Sequence, residues 1–186
     1  MCNGRVPANH WCDMSTSIED VAEALRVGRP VRVHGPYRVH FGNPQLEYRP
    51  GVIQDPVPTG RQLLDAAEAR PVDEYVVFQV LKDGLLEEIE LDETVDLRAA
   101  GVEKFLIFRS DRSFEFELDG RRSPWGAPTI TGLALKRLAG VDPARYGVWQ
   151  EIRGAEDKKI EDTASADLTP AGVERFFTGI IKTTEG

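Results

Sequence analysis

The chain has 186 residues, 41% of them hydrophobic, enough for one ordinary domain or two small ones around a real core. Its 31 acidic and 23 basic side chains leave a formal charge of -8, a net field that repels a phosphate backbone and argues against nucleic acid as a partner. The apolar runs are far shorter than the roughly 20 residues that cross a bilayer, and the start lacks a signal peptide's apolar core, so the reading is a cytoplasmic protein with no membrane partner.

From the N-terminus, residues 1–32 read as an extension that is largely disordered, with one short helix over Ser17–Val27 capped by Ser17 and carrying Glu19 and Asp20 in its first turn. Met14 is an alternative start to Met1. Cys2, His10 and Cys12 lie in a stretch containing Gly, Pro and Asn, without a fourth ligand or the close Cys-x2-Cys spacing of structural zinc, so no metal site is expected. The same two cysteines provide no disulfide framework for the globular part.

His34 and His40 flank a first strand and have neither a nucleophile nor a second ligand at helical spacing, so they read as structural or surface histidines and no catalytic residue is assigned. Thr59 and Gln62 form a capping-box pair ahead of Leu63, which predicts a helix there. Tyr75–Gln79 (YVVFQ) reads as a strand, and Leu85–Leu91 alternates as another. The acids Asp83, Glu87, Glu88, Glu90, Asp92, Glu93 and Asp96 have no base among them; they read as a solvated face, with docking of a basic partner surface as the alternative.

Beyond Ser110-Asp111, SFEFELD (Ser113–Asp119) alternates as a half-buried strand and Asp119-Gly120 supplies a turn into a second strand around Trp125. Thr131 caps a helix whose Leu135, Leu138 and Ala139 make the apolar stripe, ended by Gly140. Tyr146–Ile152 predicts a third strand, and Val173–Ile181, rich in Phe and Ile, a last and central one.

These elements occur twice. DLRAAGVEKF (Asp96–Phe105) returns as DLTPAGVERF (Asp167–Phe176), YVVFQ returns at the same offset as YGVWQ (Tyr146–Gln150), and Thr59-Gly60 returns as Thr131-Gly132 after a one-residue slip. Two domains follow, 33–109 and 112–186, joined by a linker too short and too poor in glycine for independent motion. Each reads as ββαββ, a mixed sheet over one helix with its first and last strands adjacent in the middle: an α+β fold of two tandem ubiquitin-like β-grasp domains.

The words PTGRQLL, DETVDLRAAGVEKF, SFEFELDG, TITGLALKRLAGVDPARYGVWQEI and DLTPAGVERFFT, in this order, resemble the bacterial multiubiquitin family over about Val33–Thr178. The resemblance implies a protein modifier rather than an enzyme, requiring no cofactor of its own. Its implied partners are a ubiquitin-activating-like enzyme, a ubiquitin-conjugating-like enzyme, a zinc-dependent isopeptidase and a target protein, in systems some of which act in antiphage defence.

On that reading Gly186 is the conjugated residue, and Lys182, Thr183, Thr184 and Glu185 form the tail that threads the activating enzyme, a Gly permitting close approach because no Cβ obstructs it. The tail lacks ubiquitin's paired glycines and its arginines. The Ile107–Asp111 junction has no Gly, so the first domain is not released as a separate modifier. A non-conjugated β-grasp scaffold and a sulfur carrier are the alternatives. Trp149 and its counterpart Phe78 are the candidate contact surface, since period two turns Trp149 away from Val148; a core aromatic is the competing reading.

Overall fold

The computed structural model describes residues 17–99 and 101–181. The first unit consists of β1 (Glu19–Asp20), α1 (Val21–Arg26), β2 (Tyr37–Gly42), β3 (Tyr48–Ile53), α2 (Gly60–Ala66), a single 3-10 turn, β4 (Tyr75–Val80), β5 (Leu86–Ile89) and β6 (Lys104–Arg109). The second consists of β7 (Phe114–Leu118), β8 (Arg121–Trp125), β9 (Thr129–Thr131), α3 (Gly132–Leu138), β10 (Tyr146–Gln150), β11 (Lys158–Ile160), β12 (Ser165–Asp167) and β13 (Glu174–Ile180).

Each sheet has its first and last main strands side by side and parallel, β2 with β6 (Phe41 beside Phe105) and β7 with β13 (Leu118 beside Phe176). The sheet orders are β3-β2-β6-β4-β5 and β8-β7-β13-β10-β11, each over one helix, so the chain is two tandem β-grasp units of the α+β class. β5 and β11 are real strands paired to β4 and β10, which extends the expected ββαββ order to ββαβββ.

The repeated Thr-Gly word has a local cause. Thr59 Oγ1 accepts from the Gln62 N–H while the Gln62 side chain accepts from the Thr59 N–H, and Thr131 Oγ1 accepts from the Ala134 N–H at 3.2 Å. The glycine after each threonine sits against a loop carbonyl: a Cβ on Gly60 would lie 2.4 Å from the Glu90 oxygen, and one on Gly132 2.4 Å from the Glu161 oxygen. Each helix start is thereby pressed onto the segment after the edge strand. Only Gly fits there.

Phe105 and Phe176 occupy the centres of the two sheets, 0% and 2% exposed, with the aliphatic side chains of α2 and α3 in the same respective cores. Truncating either ring to alanine removes a filled central position, so Phe105→Ala and Phe176→Ala each lower unfolding free energy by about 3–5 kcal/mol in a urea titration.

The N-terminal boundary differs from the expectation. Residues 17–32 belong to the first unit: β1 pairs in parallel with the start of β2, and Val21 and Ala24 of α1 are fully buried in its core. Asp20, not Ser17, caps α1, its carboxylate accepting from the Glu23 N–H at 3.0 Å. Glu19 is 1% exposed and is compensated by Arg29 Nη1 at 2.5 Å and Arg32 Nε at 3.0 Å, the charge neutralisation a buried carboxylate requires. Residues 1–16, with Cys2, His10, Cys12 and Met14, lie outside the described residues.

A chain starting at Val33 loses Val21, Ala24 and Val31 from the core and strips the cover from Tyr37. Its melting midpoint falls well below that of a chain starting at Ser17, a loss of several kcal/mol at about 1.5–3 kcal/mol for each large side chain uncovered. Parallel thermal scans of the two truncations check this.

Candidate functional site

The first and last strands place the candidate surfaces. In the first unit, period two directs Val77 and Phe105 inward and turns Phe78, Leu106 and Phe108 to the opposite face of the sheet. In the second, Val148 and Phe176 point into the core, while Trp149 and Phe177 face outward. The registers coincide: Phe78 pairs with Leu106 as Trp149 pairs with Phe177, and Val76 pairs with Phe108 as Gly147 pairs with Gly179.

These equivalent faces have different fates. Phe78, Leu106 and Phe108 are buried in one continuous core with the second unit's Trp125, Leu118 and Leu138. The Phe108 ring meets Trp125 edge-on at 4.7 Å and Phe78 at 5.5 Å. The expectation of Phe78 as an exposed counterpart of Trp149 is therefore corrected: its face was read properly, but the second unit sits on that face. Alternation along a strand reports which side a residue takes and not what covers that side.

Polar contacts fix the register of the two units. The Leu86 N–H donates to the buried Ser123 Oγ at 3.2 Å, and Arg121 donates to the Asp83 carboxylate at 2.5 Å and to its backbone oxygen at 3.0 Å. Arg137 donates to the Gln45 carbonyl, and beside it burial pushes the Tyr48 phenol up to about 12. The acidic run thus divides by role. Asp83 joins the units, Asp96 is held below the usual carboxylate range by the Arg98 side-chain bond, and Glu87 and Glu90 are solvated.

The Trp149 face is open. Its indole stacks on Phe177 with ring centroids 5.8 Å apart and planes 13° from parallel, and both rings are half-buried and outside the two cores. The rings lie on β10 and β13, the latter leading to the tail. Among the described residues, the backbone bond nearest the tail runs from the Ile181 N–H to the Arg145 oxygen at 2.9 Å. Lys182, Thr183, Thr184, Glu185 and Gly186, the expected conjugation segment, lie outside the described residues.

Beside Phe177 an open depression of about 910 Å³ is lined by Ile152 and Val173 with Glu151, Arg153, Asp157 and Arg175 at its rim. His34 is exposed and His40 half-buried in β2. Among the described residues, no three His, Cys, Asp or Glu side chains gather as metal ligands, and no helix is long and apolar enough to cross a membrane.

What sequence reasoning missed is the inter-unit contact made by Trp125, Ser123 and Leu138. A partial signal was present in Phe108, whose outward, apolar position in β6 has only Gly179 as its counterpart. Phe108→Ala removes the ring on which Trp125 rests. It costs about 3–5 kcal/mol and, by weakening the contact that couples the units, broadens the calorimetric unfolding transition.

Two stretches of the chain, residues 45–110 and 114–180, match the protein family described as Multiubiquitin, one match on each β-grasp unit. No curated protein matches the chain.

Proposed function

The chain belongs to the multiubiquitin family, and from that premise we propose that it is a ubiquitin-like modifier whose Gly186 carboxyl group is activated and joined to target amines. The observation that carries the reading is the course of β13. This strand is central in the second sheet and ends at Ile180, the Ile181 N–H donates to the Arg145 oxygen, and five further residues of the sequence lead to Gly186. Such a segment reaches at most about 17 Å when extended, so an enzyme that handles Gly186 also lies against the second unit.

The chemistry needs no side chain of the modifier. The carboxylate attacks the α-phosphate of ATP, giving an acyl-adenylate and pyrophosphate. A cysteine thiolate of a ubiquitin-activating-like enzyme displaces AMP to form a thioester, which passes to a ubiquitin-conjugating-like enzyme. A target amine then expels the thiolate and forms the amide, which a zinc-dependent isopeptidase hydrolyses. In this scheme the protein is cytoplasmic and a substrate of enzymes, with antiphage defence as the biological setting.

The covered first sheet supports a division of labour. With Phe78, Leu106 and Phe108 buried beneath the second unit, the first unit provides support and bulk, and recognition falls to the second. The half-open Trp149–Phe177 stack also favours a second reading, a scaffold that binds partners through this face without forming a bond.

One experiment separates these readings. The protein is incubated with ATP and a purified ubiquitin-activating-like enzyme, and adducts are resolved with and without reductant. A reductant-sensitive adduct formed by the intact chain and lost on deletion of Gly186 is the expected result. Equal adducts from both chains, or none from either, leave the scaffold; a thiocarboxylate mass on the intact chain identifies a sulfur carrier instead.

A further inference from the structure

The seam between the units holds a cleft of about 480 Å³, and both units build it. The first unit supplies Tyr48, Val80, Lys82 and Lys104, and the second supplies Arg137 and Leu138 from the end of α3. The cleft is thus a product of their docking. Its charge is out of keeping with a chain of 31 acids and 23 bases, in which most of the described arginines lie in ion pairs. Lys82, Lys104 and Arg137 are exposed and make no ion pair among the described residues. Asp83, the carboxylate on the cleft wall, is already bound by Arg121 at 2.5 Å.

Each cation is steadied by its stem or by a neutral neighbour and keeps donors to spare. The Lys104 Nζ stands 5.7 Å from the centroid of the Tyr48 ring. The Lys82 stem lies along Gly101, where a Cβ would come within 2.8 Å of its Cγ. Arg137 gives Nη1 to the Gln45 carbonyl, which leaves the other edge of its guanidinium. Burial keeps the Tyr48 phenol protonated, a further donor on the wall. The carbonyls at the end of α3 are occupied: those of Leu135, Lys136 and Arg137 accept from the Ala139, Val141 and Gly140 N–H groups.

The second repeat offers an internal comparison. At the repeat offset Lys82 and Lys104 become Arg153 and Arg175, which line the depression that also carries Glu151, Asp157 and Glu174, and Arg175 reaches Glu117 as well. With Val77 facing Ile89 as Val148 faces Ile160, the counterparts of Glu151 and Asp157 are Val80 and Leu86. Glu103, the counterpart of Glu174, lines a separate depression beside α1. The first repeat therefore keeps the two cations without those carboxylates, and docking adds Arg137 as a third. Like charges gathered on one concave, partly apolar wall raise a joint positive field, and an anion entering it gains from all three.

We propose that this seam cleft binds a small multivalent oxyanion, of the polyphosphate or polycarboxylate kind, whose charge is shared by Lys82, Lys104 and Arg137. Because both units contribute, the bound anion ties the second unit to the first. The test is calorimetric titration of the full chain with pyrophosphate and, separately, with citrate, together with thermal scans and amide chemical shifts. Saturable binding that weakens with added salt, a melting midpoint raised by the anion, and shifts at Leu46, Gly84 and Gly140 are expected. Tighter binding of pyrophosphate supports a phosphate ligand, and tighter binding of citrate a carboxylate one.

Lys104→Gln and Arg137→Gln, exposed changes with one in each unit, each weaken binding roughly fivefold, the scale of one exposed charge pair. Arg137→Lys keeps the charge and retains binding, which separates the loss of the cation from the loss of the Gln45 contact. Arg153→Gln, at the equivalent position of the second repeat, leaves binding unchanged. Absence of saturable binding by both anions overturns the proposal. So does a loss confined to the substitution in one unit, which removes the seam, or an equal loss in Arg153→Gln, which reduces the effect to general surface charge. These outcomes do not depend on whether Gly186 is ever activated.

Discussion

The contact of Phe108 with Trp125 makes one body of two repeats. Each β-grasp unit already buries one face of its sheet under its own helix, and a sheet with aromatic residues on the other face has a second surface to remove from water. The chain does this once, internally. Phe78, Leu106 and Phe108 are worth about 2 kcal/mol each when covered, whereas the half-exposed Arg121–Asp83 pair contributes about 1 kcal/mol at most. The apolar contact sets the strength of the union, and the polar pairs set its register.

From that union follows the asymmetry between sequences that began as copies. Residues serving each unit's own fold stay alike: the threonine caps, the glycines against the Glu90 and Glu161 carbonyls, and the central Phe105 and Phe176. Residues on the outward face diverge, from Val76 and Phe108 to Gly147 and Gly179, because one face must fill a gap beneath a neighbour and the other bears none among the described residues. The linker needs no length, since the second unit is already seated against the first.

The parts of the fold legible in sequence are those set by short-range physics. The repeat itself, both threonine helix caps, the Asp119-Gly120 turn and the adjacency of the first and last strands follow from patterns within each unit, and the structure has them all. Phe78 was not legible in the same way, because its cover, Leu118, Trp125 and Leu138, lies far along the chain on strands and a helix of another unit. Nor was the placement of residues 17–32. A short polar-looking segment with scattered Val and Ala has little periodicity, and its order comes from Glu19 meeting Arg29 and Arg32 and from β1 completing a sheet.

The candidate site divides along the same line. Which side of β10 bears Trp149 follows from Val148 being inward, but the attitude of the indole does not follow from alternation. It depends on Gly147 in its own strand and Gly179 in the next, a cross-strand relation that appears only once the register of β10 against β13 is known. A larger side chain at either position would lift the ring off the sheet. β13 therefore ties the two candidate features together: Phe177 and Gly179 set the attitude of the Trp149 indole, and two residues after Gly179 the Ile181 N–H bonds to the Arg145 oxygen at the root of the tail. The open aromatic face and the tail thus lie at neighbouring points of one strand, whereas the equivalent face of the first repeat is closed by the second unit.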